Sequence, residues 1–265
     1  MSVKPTAPMP PISEPKRPVR AARPKRTAQE FPRPYTTVDV VIFSVLEDAL
    51  QVLLVQRPTD DGEPFPGQWA LPGGFVDIAQ DADLQGCARR KLHEKTGVVS
   101  PYLEQLGSWG NAKRDPRGWS ATHAYFALIP VQDVQFTRGA NAADVSWFDV
   151  DRLDRHGARP RLAFDHAQIL KAAVERLRGK VEYTSLPAFL LAEPFTLPQL
   201  QRTYEIVLGR PVDKSGFRTR MLAADFLIEV GTIASDSNRP PLGYRLNDRS
   251  APVVFPRTFS PRGNP

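Results

Sequence analysis

Three charged residues, Lys91, Glu94 and Lys95, have the spacing of neighbours on one face of a helix. Their two amines can pair with the oxygens of a diphosphate. Upstream of them, Gly73 and Gly74 allow the backbone to turn tightly and to approach a ligand closely. These residues are therefore candidates for a ligand site between the glycine pair and the helix face, with a solvated helix face as the alternative.

The helix that positions these side chains has clear ends in the sequence. Asp83 is a favourable N-cap residue, and Gly97 stands where a left-handed C-cap ends a helix. Apolar residues recur between them with helical spacing, and these are Leu84, Cys87, Ala88 and Leu92. Residues 71–99 are therefore interpreted as a strand end, a glycine-rich loop and a helix that meet around a concave spot.

The same stretch resembles the Nudix box, the diphosphate-hydrolysing motif of the Nudix family, which reads G-x5-E-x7-R-E-U-x-E-E-x-G-U with U an aliphatic residue. When the pattern is anchored on Gly97, its arginine falls on Arg90 and its first glutamate on Ala82. Its three acidic helix positions fall on Lys91, Glu94 and Lys95. The span from Gly74 to Gly97 is two residues longer than the pattern. The frame of the motif is kept, while most of its acids are replaced.

This replacement bears on catalysis, because Nudix enzymes hold Mg²⁺ with these carboxylates and use the metal to activate water. The formal charge of the trio changes from about −3 in the family pattern to +1 here. Unit charges about 4 Å apart interact by roughly 4 kcal/mol at an effective dielectric constant of about 20. We therefore expect no resident metal or cofactor, and a ligand that is bound without being cut. Mg²⁺ is expected only if the protein is hydrolytically active, with Glu94 as the remaining catalytic candidate.

The first 33 residues hold the entire positive excess of the chain. They carry eight basic residues against two acidic ones, a net charge of +6, which equals the net charge of all 265 residues. Their proline-rich sequence lacks hydrophobic periodicity and predicts that residues 1–34 form an arm that is disordered when free. Such an arm can gather DNA phosphates, and its candidate contacts are Lys16, Arg17, Arg20, Arg23, Lys25 and Arg26. A solubilising tail or an organellar presequence is the alternative.

The remaining composition limits the class of protein. A single cysteine excludes an internal disulfide bond, and no zinc-type cluster of cysteine and histidine is present. This usage fits the reducing cytoplasm. No apolar run reaches the length of a membrane span, and the N-terminus lacks the apolar core of a secretory signal. We therefore expect a cytoplasmic protein without a membrane partner.

Periodicity predicts a mixed sheet covered by helices. The β-branched runs Val38–Val45 and Gln51–Gln56, separated by a short acidic segment, predict a hairpin. Further strands are predicted at Trp69–Leu71, Leu103–Trp109, Ala121–Ile129 and Val145–Phe148. A second helix, from Asp165 as its N-cap to Arg178, has apolar residues at helical spacing and is expected to pack on the sheet. These elements indicate an α/β/α layer arrangement.

Loops of this sheet supply further candidate ligand contacts. Arg57 closes the second strand of the hairpin, and the loop Ala112–Gly118 is strongly basic. The cations of this loop are Lys113, Arg114 and Arg117. Such side chains suit a phosphate or ribose contact, although a solvated turn is the alternative. His156 and His166 are expected at the surface or in packing contacts, and not as ligands.

The C-terminal segment predicts a winged helix. Thr196 caps a helix that Gly209 ends, and Asp213 caps a second helix after a short turn, as in a helix-turn-helix motif. Two strands, Leu227–Ile233 and Gly243–Leu246, form the predicted wing. The second helix is the candidate reader of a DNA major groove, with its basic residues placed away from its apolar face. The candidate DNA contacts on this helix and at the wing tip are Lys214, Arg218, Arg220 and Arg239.

Several strings across residues 35–248 resemble the Nudix-related transcriptional regulators of NAD metabolism. These strings are ARRKLHEKTGV (Ala88–Val98), SPYLEQLGSWGNAKRDPRG (Ser100–Gly118), LAFDH (Leu162–His166), YTSLPAFLLAEPFTLPQLQRTYEIVLG (Tyr183–Gly209) and DKSGFRTRML (Asp213–Leu222). The resemblance implies a homodimeric repressor of NAD biosynthesis or salvage genes. It also implies that ADP-ribose, or a related NAD-derived nucleotide, binds the Nudix-like domain and releases double-stranded operator DNA from the winged helix. The basic arm is longer than the usual N-terminal segment of this family.

The expected architecture belongs to the α/β class, with an N-terminal Nudix-like α/β/α sandwich and a C-terminal winged helix-turn-helix domain. The segments after the arm are an effector domain, a linking helix, a DNA-binding domain and a flexible tail, expected at 35–160, 161–180, 181–250 and 251–265.

Two other functions are compatible with the sequence. An active Mg²⁺-dependent Nudix hydrolase of ADP-ribose or a similar nucleoside diphosphate derivative would need Glu94 to act with further acids. The nearest substitutes along the chain are Asp77, Asp81 and Asp83. A binding module whose winged segment docks a protein is the third interpretation. Release of AMP with Mg²⁺ distinguishes the first alternative, and DNA binding that is absent or insensitive to salt distinguishes the second.

Overall fold

A mixed seven-stranded sheet forms the centre of the N-terminal domain in the computed structural model, which describes residues 33–99, 102–135, 144–153, 160–234 and 240–256. Its strands are β1 Tyr35–Leu46, β2 Ala49–Gln56, β3 Trp69–Ala70, β4 Gly73–Phe75, β5 Tyr102–Asn111, β6 Ser120–Leu128 and β7 Asp144–Asp149. Their order is β3-β2-β1-β6-β5, while β4 also pairs with β1 and β7 with β2. Only β1 and β6 run parallel among these pairs. All the strands that the sequence predicts in this region are present.

The β1–β2 hairpin is closed by a two-residue turn. Glu47 and Asp48 have φ angles of 52° and 58°. Positive φ at both central residues belongs to the turn type whose twist matches that of the flanking strands. The register that follows places Phe43 opposite Val52, and both side chains are buried in the core.

Two helices cover the two faces of this sheet. On one face, α1 (Leu84–Thr96) packs its buried residues Cys87 and Leu92 against the inner side of β1 and β6. A short helix α2 (Val150–Leu153) follows β7, and α3 (His166–Val181) buries the residues of its apolar stripe against the opposite face. The predicted α/β/α arrangement is therefore confirmed.

The predicted ends of α1 are also confirmed. The Asp83 carboxylate accepts a hydrogen bond of 2.7 Å from the backbone N–H of Gly86. Gly97 has a φ of 68°, and its N–H donates to the carbonyl of His93 at 2.8 Å. These caps satisfy backbone groups that a helix leaves without partners at its ends.

The predicted cap of α3 is wrong. Asp165 stands directly before α3, but its side chain makes no capping hydrogen bond. Its carboxylate instead accepts two hydrogen bonds from Arg114, a residue 51 positions earlier in the chain. Because this partner comes from a distant loop, the local spacing around α3 gives no sign of it.

The C-terminal domain is a winged helix, as predicted. A 3-10 helix at Leu186–Leu190 precedes four elements, which are α4 Leu197–Leu208, α5 Lys214–Ala223, β8 Leu227–Thr232 and β9 Leu242–Leu246. Thr196 and Gln199 form a reciprocal capping box at the start of α4. Asp213 caps α5 by accepting from the N–H of Gly216 at 2.7 Å.

Residues 251–256 pack on this domain, so the prediction that the flexible tail begins at residue 251 is wrong. Ser185 donates its backbone N–H to the carbonyl of Val253 at 3.0 Å, and Phe255 donates to Tyr183 at 2.7 Å. The Phe255 side chain is buried beside Phe226. Two phenylalanines in a proline-rich ending, Phe255 and Phe259, are a weak signal in the sequence. Residues 257–265 lie outside the described part of the chain.

One apolar core runs through both domains. The buried residues of α3, the 3-10 helix, α4 and α5 belong to the same cluster as those on one face of the sheet. At the join, the ring of Tyr102 lies 5.8 Å from Phe126 and 5.3 Å from Phe189. None of the helices in the described ranges combines the length and the apolar character needed to cross a bilayer.

Candidate functional site

A cavity of about 240 Å³ opens beside the C-terminal half of α1. Its walls come from β1, β2, β4, the loop between β5 and β6, and the segment before α3. Apart from Lys113, the candidate effector contacts all line this cavity, and these are Arg57, Gly73, Gly74, Lys91, Glu94, Lys95, Arg114 and Arg117. Segments that are far apart in the sequence are therefore brought to one place by the sheet.

Gly73 is required by the close packing of two strands. A Cβ atom at this position would lie 2.1 Å from the Asp39 carboxylate and 2.5 Å from the carbonyl oxygen of Val38. The neighbouring Gly74 has a φ of 154°, and a Cβ there would lie 3.3 Å from Nζ of Lys91. The glycine pair thus lets β4 lie against β1 and leaves room for the lysine side chain at the cavity wall.

The helix face that meets the cavity is held by ion pairs. Arg90 binds Asp81 through two hydrogen bonds of 2.6 and 2.7 Å. The Glu94 carboxylate lies 2.8 Å from Nη1 of Arg90 and 3.3 Å from Nζ of Lys91. The acid that survives from the Nudix box is therefore neutralised by two cations, which lowers its capacity to bind a metal ion.

Lys95 is the most available cation of this face. It lines the cavity and is half-buried, and it makes no ion pair within the described ranges. Burial lowers the pKa of its amine, the nearby carboxylate of Glu94 opposes this shift, and the charge of Lys91 adds to it. An anionic ligand would supply the counter-charge that this amine lacks.

The acids that a hydrolase would need serve other purposes. Asp81 is bound to Arg90, Asp83 caps α1, and Asp77 accepts hydrogen bonds from Ala79 and Gln80. None of these three side chains lines the cavity. Across the described ranges, no group of three histidine, cysteine, aspartate or glutamate side chains has the geometry of a metal site. The donor set of this cavity does not fit the Mg²⁺ ion that a Nudix hydrolase uses.

A buried polar network forms the floor of the cavity. His166 accepts a hydrogen bond of 2.9 Å from the backbone N–H of Leu71 through Nδ1, and its Nε2 lies 3.5 Å from Asp39. The Arg114 guanidinium binds both carboxylate oxygens of Asp165 at 2.9 Å and lies 3.6 Å from Asp39. Burial raises the pKa of Asp39, but His166 and Arg114 outweigh it and hold that pKa below its usual value. His166 is thus a packing residue, as expected, although it also lines the cavity.

Aromatic rings flank the cations at the cavity mouth. The Arg57 guanidinium lies 4.9 Å from the centre of the Phe164 ring and pairs with Glu63 at 2.6 Å. The Arg117 guanidinium lies 5.0 Å from the centre of the Phe75 ring. The Phe75 ring itself is 44% exposed, so it offers a flat apolar surface to a ligand.

The sequence interpretation missed part of this lining. The unpredicted residues with polar or aromatic side chains are Thr37, Asp39, Glu63, Phe75, Asp115, Phe164 and His166. Asp39 carried a signal, because it is a charged residue directly between the apolar residues Val38 and Val40 of β1. Of the basic loop between β5 and β6, Arg114 and Arg117 line the cavity, while Lys113 is exposed and does not.

The helix α5 presents only part of its predicted basic surface. Lys214 and Arg218 are exposed, and Phe217 and Met221 are buried, as expected for a reader helix. The placement predicted for Arg220 is wrong, because its guanidinium turns inward to lie 5.8 Å from the Phe255 ring. Residue 220 follows residue 217 by three positions, so both share the inner helix face. Arg239, His156 and the arm residues Lys16, Arg17, Arg20, Arg23, Lys25 and Arg26 lie outside the described residues.

Two family models match the chain in the order of its domains. The model of the NUDIX domain matches residues 35–173, and the model of the NrtR DNA-binding winged helix domain matches residues 187–246. The ADPR responsive transcriptional repressor NtrR of Acinetobacter baylyi is 44% identical over 228 residues, which are 86% of this chain and 88% of that protein. The chain belongs to the NrtR family.

Solved structures agree with membership of the NrtR family. Shewanella oneidensis NrtR complexed with a 27mer DNA is 43% identical with a TM-score of 0.75, and the match covers 84% of this chain and 98% of that one. The NUDIX domain of the same NrtR, complexed with ADP ribose, is 43% identical with a TM-score of 0.50, over 58% of this chain and 94% of that one.

A hydrolase is also similar to the Nudix domain. The ADP-ribose pyrophosphatase of Methanocaldococcus jannaschii is 30% identical over 147 residues, which are 56% of this chain and 79% of that enzyme. Because both a repressor and an enzyme are among the relatives, the choice between binding and hydrolysis depends on the chemistry of the cavity.

Proposed function

We propose that this chain is a DNA-binding transcriptional repressor whose Nudix domain binds ADP-ribose, or a related NAD-derived nucleotide, without hydrolysing it. The observation that carries the proposal is the replacement of two box acids by Lys91 and Lys95, both of which line the cavity. The relatives support it, since the Acinetobacter protein is named as an ADPR responsive repressor and Shewanella NrtR has been crystallised with DNA and, as its NUDIX domain, with ADP ribose.

The cavity offers complementary groups for the parts of such a nucleotide. Lys91 and Lys95 supply charge for the diphosphate without a metal ion. The exposed ring of Phe75, with Arg117 beside it, supplies a surface on which an adenine base can stack. The carboxylates of the lining can accept hydrogen bonds from ribose hydroxyls. No resident metal or cofactor is required for this mode of binding.

The winged helix is proposed to hold double-stranded operator DNA through Lys214 and Arg218 of α5, with further phosphate contacts from the basic arm. A homodimer would present two such helices to a two-fold symmetric operator. We place this activity in the cytoplasm, at genes of NAD biosynthesis or salvage. The effector would then report the state of the NAD pool to those genes.

A mobility-shift titration tests the proposal. DNA from upstream of NAD biosynthesis and salvage genes in the same genome is titrated with the full-length protein, first alone and then with ADP-ribose and without Mg²⁺. We expect a specific shift that ADP-ribose reverses, with the apparent affinity falling by roughly 5- to 150-fold, the usual range of allosteric coupling. Absence of a specific shift on all such fragments, or a shift that no NAD-derived nucleotide changes, would refute the proposal.

The similarity to an ADP-ribose pyrophosphatase favours hydrolysis as the second candidate function. It is tested by incubating the protein with ADP-ribose and Mg²⁺ and separating the nucleotides by chromatography. The proposal predicts that ADP-ribose stays intact at stoichiometric protein concentration. Catalytic release of AMP would instead assign an enzymatic role to Glu94.

A further inference from the structure

Asp165 connects the cavity with the helix that leads to the winged domain. It stands at the N-terminus of α3, where an aspartate commonly caps a helix. Both of its carboxylate oxygens are instead taken by Arg114, with Nε and Nη2 each at 2.9 Å. Arg114 also lines the effector cavity. One arginine is therefore shared between the place where an anion would bind and the start of α3.

The opposite end of α3 is tied to the helix-turn-helix motif. The Arg178 Nε donates to the carbonyl of Val207, in the last turn of α4, at 3.0 Å. Directly after α3, the Glu182 carboxylate binds Arg210 at 2.7 and 2.9 Å. Arg210 begins the short turn between α4 and α5. A shift of α3 along or about its axis is thus passed to the turn that positions the reader helix.

We propose that the effector nucleotide controls DNA binding by taking Arg114 from Asp165, which then caps α3. This inference rests on the proposed function and adds the route by which the two sites communicate. A diphosphate competes for Arg114 because its oxygens match a guanidinium as well as a carboxylate does. The arrangement with Asp165 bound to Arg114 is then the DNA-binding state, and the capped arrangement is the released state.

The released state has a defined structural consequence. A capping aspartate has an extended backbone, whereas Asp165 has φ and ψ of −98° and 18°. Capping therefore rotates the backbone at the junction between the cavity floor and α3. The N–H groups of His166 and Gln168 already donate to the carbonyls of Ala163 and Asp165, so capping adds a side-chain acceptor to this first turn of α3. The carboxylate charge is also favourable at a helix N-terminus. The Asp165 carboxylate has hydrogen-bond donors in each arrangement. The junction therefore has two alternative states, and a ligand that binds one of them more tightly shifts the population toward it.

Two substitutions should lower operator affinity alike but change ADP-ribose affinity in opposite directions. Asp165→Asn frees Arg114 for the nucleotide and leaves an amide that can still cap α3. We expect operator affinity to fall by at least about fivefold, the lower end of usual coupling, and ADP-ribose affinity to rise. Arg114→Gln also frees residue 165, so operator affinity should fall similarly, but ADP-ribose affinity should fall because a cavity cation is lost. Both affinities are measured without Mg²⁺, by calorimetry for ADP-ribose and by fluorescence anisotropy for operator DNA.

A third variant tests the far end of α3 without entering the core. Glu182→Gln removes a partly exposed ion pair, so the fold is expected to persist. This variant should bind operator and ADP-ribose separately, while the loss of operator affinity on saturation with ADP-ribose becomes smaller than in the wild type. Asp133→Asn is the control, because Asp133 is exposed and lies outside the cavity and α3. It should match the wild type in all measurements.

The outcomes separate this inference from the proposed function. If the wild type fails to bind operator or ADP-ribose, the proposed function itself is wrong. If the wild type binds both and ADP-ribose releases the operator, an Asp165→Asn variant with wild-type affinities overturns the inference alone. A parallel fall of both affinities in Asp165→Asn also overturns it, because that is the result of general loss of structure. If saturation with ADP-ribose lowers the operator affinity of Glu182→Gln as much as that of the wild type, transmission through α3 is wrong.

Discussion

The amine of Lys91 lies 3.3 Å from the carboxylate of Glu94, so a residue that replaces one acid of the Nudix box neutralises another. Arg90 approaches the same carboxylate from the other side at 2.8 Å. In a hydrolase, carboxylates at these positions attract Mg²⁺, which then neutralises the diphosphate. Here the protein supplies the positive charge itself, so the diphosphate can be bound directly. In the proposed function, loss of catalysis and metal-free binding are thus two effects of the same substitutions.

Restoring the acids should reverse this preference. In the double variant Lys91→Glu and Lys95→Glu, the diphosphate meets negative charge in place of two amines. We expect metal-free ADP-ribose affinity to fall by at least about tenfold, or about 1.4 kcal/mol. Mg²⁺ should recover part of the affinity, since the new carboxylates can hold the ion. Calorimetry with and without Mg²⁺ measures both effects.

Lys113→Glu is the matched control for that variant. Lys113 is an exposed lysine on the basic loop between β5 and β6, but it does not line the cavity. The same charge reversal there should leave ADP-ribose affinity close to that of the wild type. Tighter metal-free binding in the double variant would contradict direct pairing of the two amines with phosphate.

The sequence predicted the elements around the site well, because their signals are local. The caps at Asp83 and Gly97, and the turn between β1 and β2, depend on residues within one helical turn or one hairpin. The register of α1 then determines that Lys91 and Lys95 face the same side. The resemblance to the Nudix box then indicates that this side of α1 faces the site, and both lysines do line the cavity.

The features that the sequence missed depend on contacts between distant segments. Asp39 and His166 are 127 positions apart by their numbers, and their contact requires α3 to start beside β1. The sequence predicts that Asp165 caps α3, because its actual partner, Arg114, belongs to a distant loop that local spacing does not reveal. The prediction that Arg220 faces DNA conflicts with its position three residues after the buried Phe217, which places both on the inner helix face. The first two errors need tertiary information, whereas the third was avoidable from helical geometry.

The titration of Lys95 gives a prediction about pH. Burial lowers the pKa of this amine below 10.5, although Glu94 opposes the shift. The protonated amine binds the diphosphate, so its contribution is fully present below the lowered pKa and is lost as the pH rises through it. We therefore expect ADP-ribose affinity to decline with rising pH, and to begin this decline at a lower pH than if Lys95 had the usual pKa of a lysine. In Lys95→Arg the part of the decline that Lys95 causes should disappear, because a guanidinium keeps its charge to about pH 12. Calorimetry from pH 7 upwards in both proteins makes the comparison, and identical pH profiles would contradict it.

Close packing at Gly73 and open space at Gly179 predict opposite effects of an alanine substitution on stability. In Gly73→Ala the new methyl group would lie 2.5 Å from a backbone carbonyl, which cannot move without disturbing β1. We expect a loss of about 1–3 kcal/mol in the free energy of unfolding, as for other overpacked sites. Gly179 lies in α3 with open space around its Cα, so Gly179→Ala should stabilise the protein by about 0.5–1 kcal/mol. Denaturant unfolding curves measure both, and a stable Gly73→Ala variant would show that β4 is less tightly placed than described.

Arg218 provides the clearest test of the reader helix. Its side chain is exposed on α5, beyond the buried Phe217, and makes no contribution to the cavity. Arg218→Ala should therefore weaken operator binding while leaving ADP-ribose affinity unchanged. If the contact is to a phosphate, the slope of log affinity against log salt should decrease by about 1, and if it is to a base, specificity at one operator position should relax. Arg89→Ala removes another exposed arginine, from α1, and is the control. Because both variants lose one positive charge, an equal loss of operator affinity in the two would point to general electrostatics, whereas a loss confined to Arg218→Ala assigns the contact to α5.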